Sequence, residues 1–302
     1  DMEGSRGLGD VYKRQLEYHR QFSHSLVFIP IGSLIVALLI FPWVKKAMSF
    51  KLVYLVSFLG YATHGLLDAC TSYGTLLLWP FSYERITWNN ISIVDPIFTI
   101  PTLIFVICAL MTKRKKFSFF AIGWILFYLI FGLVQYERTL SAAKDLASSR
   151  GHSAERLTLK PSFGNLILWK SIYKHEENFY VDAIRTVQSS HWCSGESTRA
   201  FSYKQHLPKL NKDSQQAKDI ERFRWFSQDY LGYQKEKKLV TDIRYSMLPN
   251  QIEAMWGLVI DETLDFEKHA SWWTGRSLEP SEFDLFLEML IGKGCSDNDK
   301  KI

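Results

Sequence analysis

Residues 52–80, LVYLVSFLGYATHGLLDACTSYGTLLLWP, decide how this chain is read. The stretch is apolar enough to enter a membrane, yet it carries His64 and Asp68 four residues apart. That spacing puts both side chains on one helix face, one turn from each other. An imidazole and a carboxylate are costly in hydrocarbon, so the pair needs a metal, a proton path or a polar cavity.

Three further apolar runs flank this one. With it they place membrane spans at about residues 26–44, 52–71, 97–111 and 117–136, each near the roughly 20 residues that cross a hydrocarbon core. The pattern predicts a polytopic α-helical membrane bundle of four visible transmembrane helices, followed by a small soluble α+β domain. Residues 16–151 form the membrane part and 152–302 the soluble part. The first fifteen residues, which contain VYKRQ, show no periodicity and are read as non-native.

Charge supports this division. Residues 1–151 hold 15 Lys/Arg against 9 Asp/Glu, a net of +6, whereas residues 152–302 hold 21 against 22, a net of −1. The basic excess sits in short loops between apolar runs, which argues for topology signals and against a nucleic-acid partner. Lys45, Lys46 and Lys51 follow the first span, and Lys113 to Lys116 follow the third, so both loops are expected in the cytoplasm. Residues 81–96 then face outward, with Arg85 their sole basic residue, and residues 137–302 follow on the outer side.

This orientation brings the ionisable residues to one depth. With the second helix starting inside at Leu52, His64 lies about 18 Å and Asp68 about 24 Å along it, in the outer part of a core about 30 Å thick. His19 and His24 open the first span from outside, and Asp95 opens the third from outside. His19, His24, His64, Asp68 and Asp95 are therefore the candidate metal ligands. Mixed imidazole and carboxylate donors suit a divalent ion, zinc before manganese or iron. Asp68 and Asp95 are the candidates for catalytic acid–base work. Other roles stay open: His24 as a helix cap, Asp95 as the N-cap of the third helix, and Arg85 as an interface anchor or a binder of an anionic substrate group.

In the second half, residues 166–173 and 179–187 read as a hairpin turning at 176–178, and 239–245 and 254–261 as further strands. Residues 214–230 and 281–290 read as helices, the latter with Ser281 and Asp284 as a capping box. Cys70 and Cys108 fall in apolar runs and read as packing residues, while Cys193 and Cys295 are free to pair if this half is exported.

HRQFSHS at 19–25, HGLLDACTSYGT at 64–75, LLWPFS at 77–82 and IVDPIFT at 93–99 resemble the YdjM family (DUF457) of bacterial inner-membrane proteins. LWKSIYKHEENFYVDAIRTV, FRWFSQDYLGY and VTDIRYSMLP in the second half resemble it too. The resemblance implies a metal-dependent hydrolase with His24, His64, Asp68 and Asp95 at the metal and His19 beside them. Its substrate would be a lipid-associated ester or phosphoester, cleaved by metal-activated water at the surface of the bilayer. The rivals are a non-catalytic inner-membrane protein with a structural metal or ion-relay site, and an anchor for an envelope-binding domain. A reporter fused after residue 150 should read as periplasmic, and a cytoplasmic reading would overturn the orientation.

Overall fold

The computed structural model describes residues 20–263, 266–275 and 279–293. His19 and Cys295, both singled out above, lie outside the described residues. The chain divides into two compact units, one of residues 17–129 and one that includes residues 130–302.

The first unit is helical. A 3₁₀ turn, Phe22–His24, precedes helix α1 (Ile29–Val44). Helix α2 (Phe50–Ala69) starts where the Ser49 side chain accepts the Leu52 N–H, a hydroxyl N-cap that relieves one orphan donor. Helix α3 (Pro96–Thr112) is capped by Asp95, with Pro96 in the first turn where a missing N–H costs nothing. Lys113 at φ 54° ends it in left-handed backbone, and helix α4 (Lys115–Ser149) begins two residues later.

All four helices present large apolar side chains outward, among them Leu38 and Leu39 on α1, Leu55 and Leu59 on α2, Leu103 and Leu110 on α3, and Phe119 and Phe120 on α4. An outward apolar surface of this extent is what a bilayer solvates. α2 and α4 are long and apolar enough to cross a membrane, whereas α1 and α3 are shorter apolar helices. At 16 and 17 residues, α1 and α3 rise about 24–26 Å, under the roughly 30 Å core. Pro30 and Pro96 fix where these two helices begin.

The second unit is rich in sheet. The far half of α4 is held to it by Gln135, whose side-chain amide donates to the carbonyls of Leu166 (3.1 Å) and Thr186 (2.7 Å). Strands β1 (Glu155–Pro161), β2 (Leu168–His175), β3 (Asn178–Thr186) and β4 (Ser190–Cys193) pair in that order, all antiparallel, and β5 (Ser197–Arg199) pairs with β3. The β2–β3 hairpin turns at Glu176–Glu177, with His175 opposite Asn178 and Glu176 at φ 52°. A second antiparallel sheet runs β6 (Leu231–Gln234), β7 (Leu239–Asp242), β8 (Trp256–Val259), β9 (Ser271–Thr274). Helices α5 (Tyr203–His206), α6 (Gln215–Phe226, capped by Ser214) and α7 (Pro280–Ile291) complete it.

The strands of this unit therefore form two antiparallel sheets. β2 is buried on both faces from Leu168 to Tyr173, so its sequence shows no alternation to betray a half-exposed strand. The capping box of α7 is Glu279 with Glu282, two residues before the predicted Ser281–Asp284 pair. Pro280 takes the first helical position, which sets the cap at Glu279. Cys70 and Cys108 are free thiols, and Cys193 is disulfide-bonded.

One buried ion pair ties the end of α4 to the first sheet. Arg150 grips Asp182 with two parallel bonds of 2.7 and 2.8 Å, and Asp182 is 2 % exposed. Asp182 also accepts the Gly195 N–H, and Tyr173 accepts a bond from Arg150. The carboxylate and the bonds to it raise the guanidinium's proton affinity further above its ordinary value. Asp182→Ala would strand a half-buried cation and should cost about 3 kcal/mol of unfolding free energy. Adding Arg150→Met to it should recover much of that loss, as read from denaturant unfolding of the three variants.

Candidate metal centre

The site is assembled by a close approach between the 3₁₀ turn and α2. Gly65 permits it: a Cβ there would sit 2.8 Å from the carbonyl oxygen of His24, a distance no real side chain tolerates. The segment carrying the turn is pinned further along by backbone bonds from Leu76 N–H to Arg20 O and from Leu26 N–H to Leu77 O. His24 is thereby delivered to the α2 face that bears His64 and Asp68.

Asp68 is the hub. Its Oδ2 lies 3.2 Å from His24 Nε2 and 3.7 Å from His64 Nε2. Its Oδ1 lies 3.3 Å from the Arg20 guanidinium. Arg20 also donates to the Asp68 carbonyl (3.1 Å) and to Thr71 Oγ1 (2.6 Å), and its guanidinium stands over the Tyr73 ring at 5.3 Å. Ser23 Oγ is 2.9 Å from His24 Nδ1 and so orients that imidazole from behind. The two imidazole rings lie 4.6 Å apart, tilted by 47°.

Among the described residues, His24, His64 and Asp68 offer ligand atoms that all lie within 4.8 Å of one another. Donors about 2.1 Å from a tetrahedral ion stand roughly 3.4 Å apart, close to the separations of 3.2 and 3.7 Å seen here. Two imidazoles and a carboxylate make a donor set that zinc accepts, and three protein ligands leave a fourth position open. His64 is the most exposed of the three, with its side chain 57 % exposed against 16 % for His24 and 18 % for Asp68.

Asp95 lies outside this group. Its Oδ1 accepts the Phe98 N–H at 3.1 Å as the N-cap of α3, and its Oδ2 accepts the Tyr128 hydroxyl at 2.8 Å. Both carboxylate oxygens are thus engaged in joining α3 to α4, and Trp124 adds a bond from its indole N–H to Phe98 O. Arg85 is buried and donates to Gly74 O at 2.8 Å, bracing the loop after α2, with its guanidinium 6.0 Å from the Tyr73 ring centre. His19 lies outside the described residues.

Sequence reasoning missed Arg20, Ser23 and Thr71. The available signal was the spacing of Arg20 and His24, which repeats the spacing of His64 and Asp68, together with the need of a carboxylate in an apolar helix for a cation.

These features define a helical membrane region with a cluster of two histidines and an aspartate at one end of α2. Residues 6–139 match the family model described as YdjM inner membrane protein, so that stretch is similar to the YdjM inner membrane family. The match takes in residues 6–15 and the whole of the site, and it stops short of β1. No curated protein and no solved structure matches the chain.

Gly65 and Gly60 provide a matched test of the close approach. Gly65→Ala should lower the unfolding midpoint, with a cost of about 1–3 kcal/mol from overpacking. A Cβ at Gly60 meets nothing within 4 Å, so Gly60→Ala should raise stability by up to about 1 kcal/mol through helix propensity.

Proposed function

We propose that this chain is a membrane-bound metal-dependent hydrolase of the bacterial inner membrane, acting on a lipid-associated ester or phosphoester. One observation carries the reading: two imidazole nitrogens and a carboxylate oxygen converge within 4.8 Å at the end of an apolar helix. His24, His64 and Asp68 would hold the ion, and His19 joins them as a ligand candidate on sequence grounds. A zinc ion held there would supply Lewis acidity and lower the pKa of water.

The chain's own residues do the rest. Ser23 fixes the ring of His24, leaving Nε2 to face Asp68. Arg20 holds Oδ1 of Asp68 and leaves Oδ2 directed at the two imidazoles. The exposed His64 marks the side from which a substrate enters. In this reading Asp95 acts through structure, fixing α3 against α4, and Arg85 braces the loop at the rim.

The reading extends to topology. α1 to α4 are taken as four spans, the two shorter helices reaching across by local thinning of the bilayer. The basic loops after α1 and α3 put the ligands and the sheet-bearing unit on the periplasmic side. The disulfide at Cys193 supports that side, because such bonds persist in oxidising compartments.

The Arg20–Asp68 ion pair favours one rival, a polar lock that joins the turn to α2 and needs no ion. Metal analysis separates the two. Full-length protein purified in detergent should carry about one equivalent of zinc, and His64→Ala and Asp68→Ala should both lose it. Equal metal content in all three would sink the assignment.

A further inference from the structure

A second cluster of reactive groups lies in the sheet-rich unit. Lys170 on β2 is 5 % exposed, and its Nζ donates to Ser246 Oγ at 2.6 Å and to Gln251 O at 2.7 Å. Ser246 follows β7 by four residues, is bridged to Ala254 and is partly exposed, so it lies where solvent and the lysine meet. Its hydroxyl is bonded to Leu248 O at 2.5 Å.

The surroundings of Lys170 disfavour its charged form. Lys160 on β1 is its direct cross-strand partner and is itself buried, so two ammonium groups would face each other on one side of the sheet. Arg244 beside them is committed to Asp242, with bonds of 2.7 and 2.8 Å. Asp242 and Glu196 draw the other way, but burial dominates and holds the Lys170 amine down at about 7, while the Lys160 amine is also pushed down.

We propose that Ser246 and Lys170 form a serine–lysine nucleophilic dyad, a second reactive centre that attacks the carbonyl carbon of a carboxylic ester or amide. A buried lysine is a competent base for a serine hydroxyl because desolvation keeps its lone pair available near neutral pH. The Ser246 hydroxyl turns about its Cβ–Oγ bond from Leu248 O to Lys170 Nζ. Oγ then forms a bond to the carbonyl carbon, the C=O π pair moves to oxygen, and the hydroxyl proton passes to Nζ. When the tetrahedral adduct collapses, the C–O or C–N bond to the leaving group breaks, and that group takes the proton from Lys170. Water, deprotonated by the neutral amine, attacks the acyl-serine and releases the carboxylic acid, which gives its remaining proton to solvent, while the proton on Lys170 passes to the Ser246 oxygen. Gln251 O holds Nζ in place throughout.

The probe is a fluorophosphonate, which forms a Ser Oγ–P bond with loss of fluoride, applied to the full chain in detergent and read by intact mass and peptide mapping. We expect one adduct at Ser246, forming at a rate that rises through pH about 7 and levels off above it as Lys170 loses its proton. S246A should remove the adduct, and K170M should slow labelling by roughly tenfold or more. Circular dichroism and unfolding of each variant show whether it folds, and the wild-type pH profile decides the matter where K170M does not. No adduct at Ser246 in folded wild-type protein, a flat pH profile, or K170M labelling at the wild-type rate would overturn the proposal and leave Lys170 as a staple for residues 246–251.

Discussion

The helical unit depends on one constraint: a carboxylate placed in an apolar helix must be surrounded by cations or donors. Asp68 meets it by recruiting Arg20, His24 and His64. The contacts with Arg20 and His24 form only when the segment before α1 is brought against α2, and Gly65 leaves the room for that. The electrostatic requirement and the steric allowance sit on the same helix, three residues apart. The chain's route from Arg20 to His24 and its backbone bonds to Leu76 and Leu77 follow from satisfying both.

How much of this was legible depended on whether the signal was local. The His64–Asp68 pair follows from helical spacing, and His24 follows from depth once the loop charges orient the helices. Arg20 was harder to read, because its side chain reaches a partner 48 residues away and only its spacing to His24 hints at the role. Asp95 is expected from the loop charges at the depth of the cluster, and its oxygens cap α3 and hold Tyr128. In the second unit the hairpin through Glu176 and Glu177 was readable from its turn residues, as was α6 from its apolar positions Ile220, Phe223 and Phe226. β1, β4, β5, β6 and β9 were not: SHWC, STR, LGYQ and SWWT are three or four residues long, and ERLTLKP carries charged residues that a strand pattern does not predict.

The two units manage buried charge in different ways. In the helical unit each buried carboxylate is matched with donors from another segment, so charge joins one segment to the next. In the sheet-rich unit Arg150–Asp182 and Arg244–Asp242 are closed pairs, but Lys160 and Lys170 face each other with the nearby Asp242 already held by Arg244. An amine in that position is forced toward its neutral form, which makes it a base as well as a packing residue.

The central claim is that the groups around Asp68 form a metal centre. Protein loaded with zinc and studied by X-ray absorption tests this most directly, because imidazole rings leave a distinct multiple-scattering pattern. The account predicts a first shell of nitrogen and oxygen at about 2.0–2.1 Å with two imidazoles, reduced to one imidazole in His64→Ala. A spectrum with no imidazole scattering, or one that His64→Ala leaves unchanged, would contradict it.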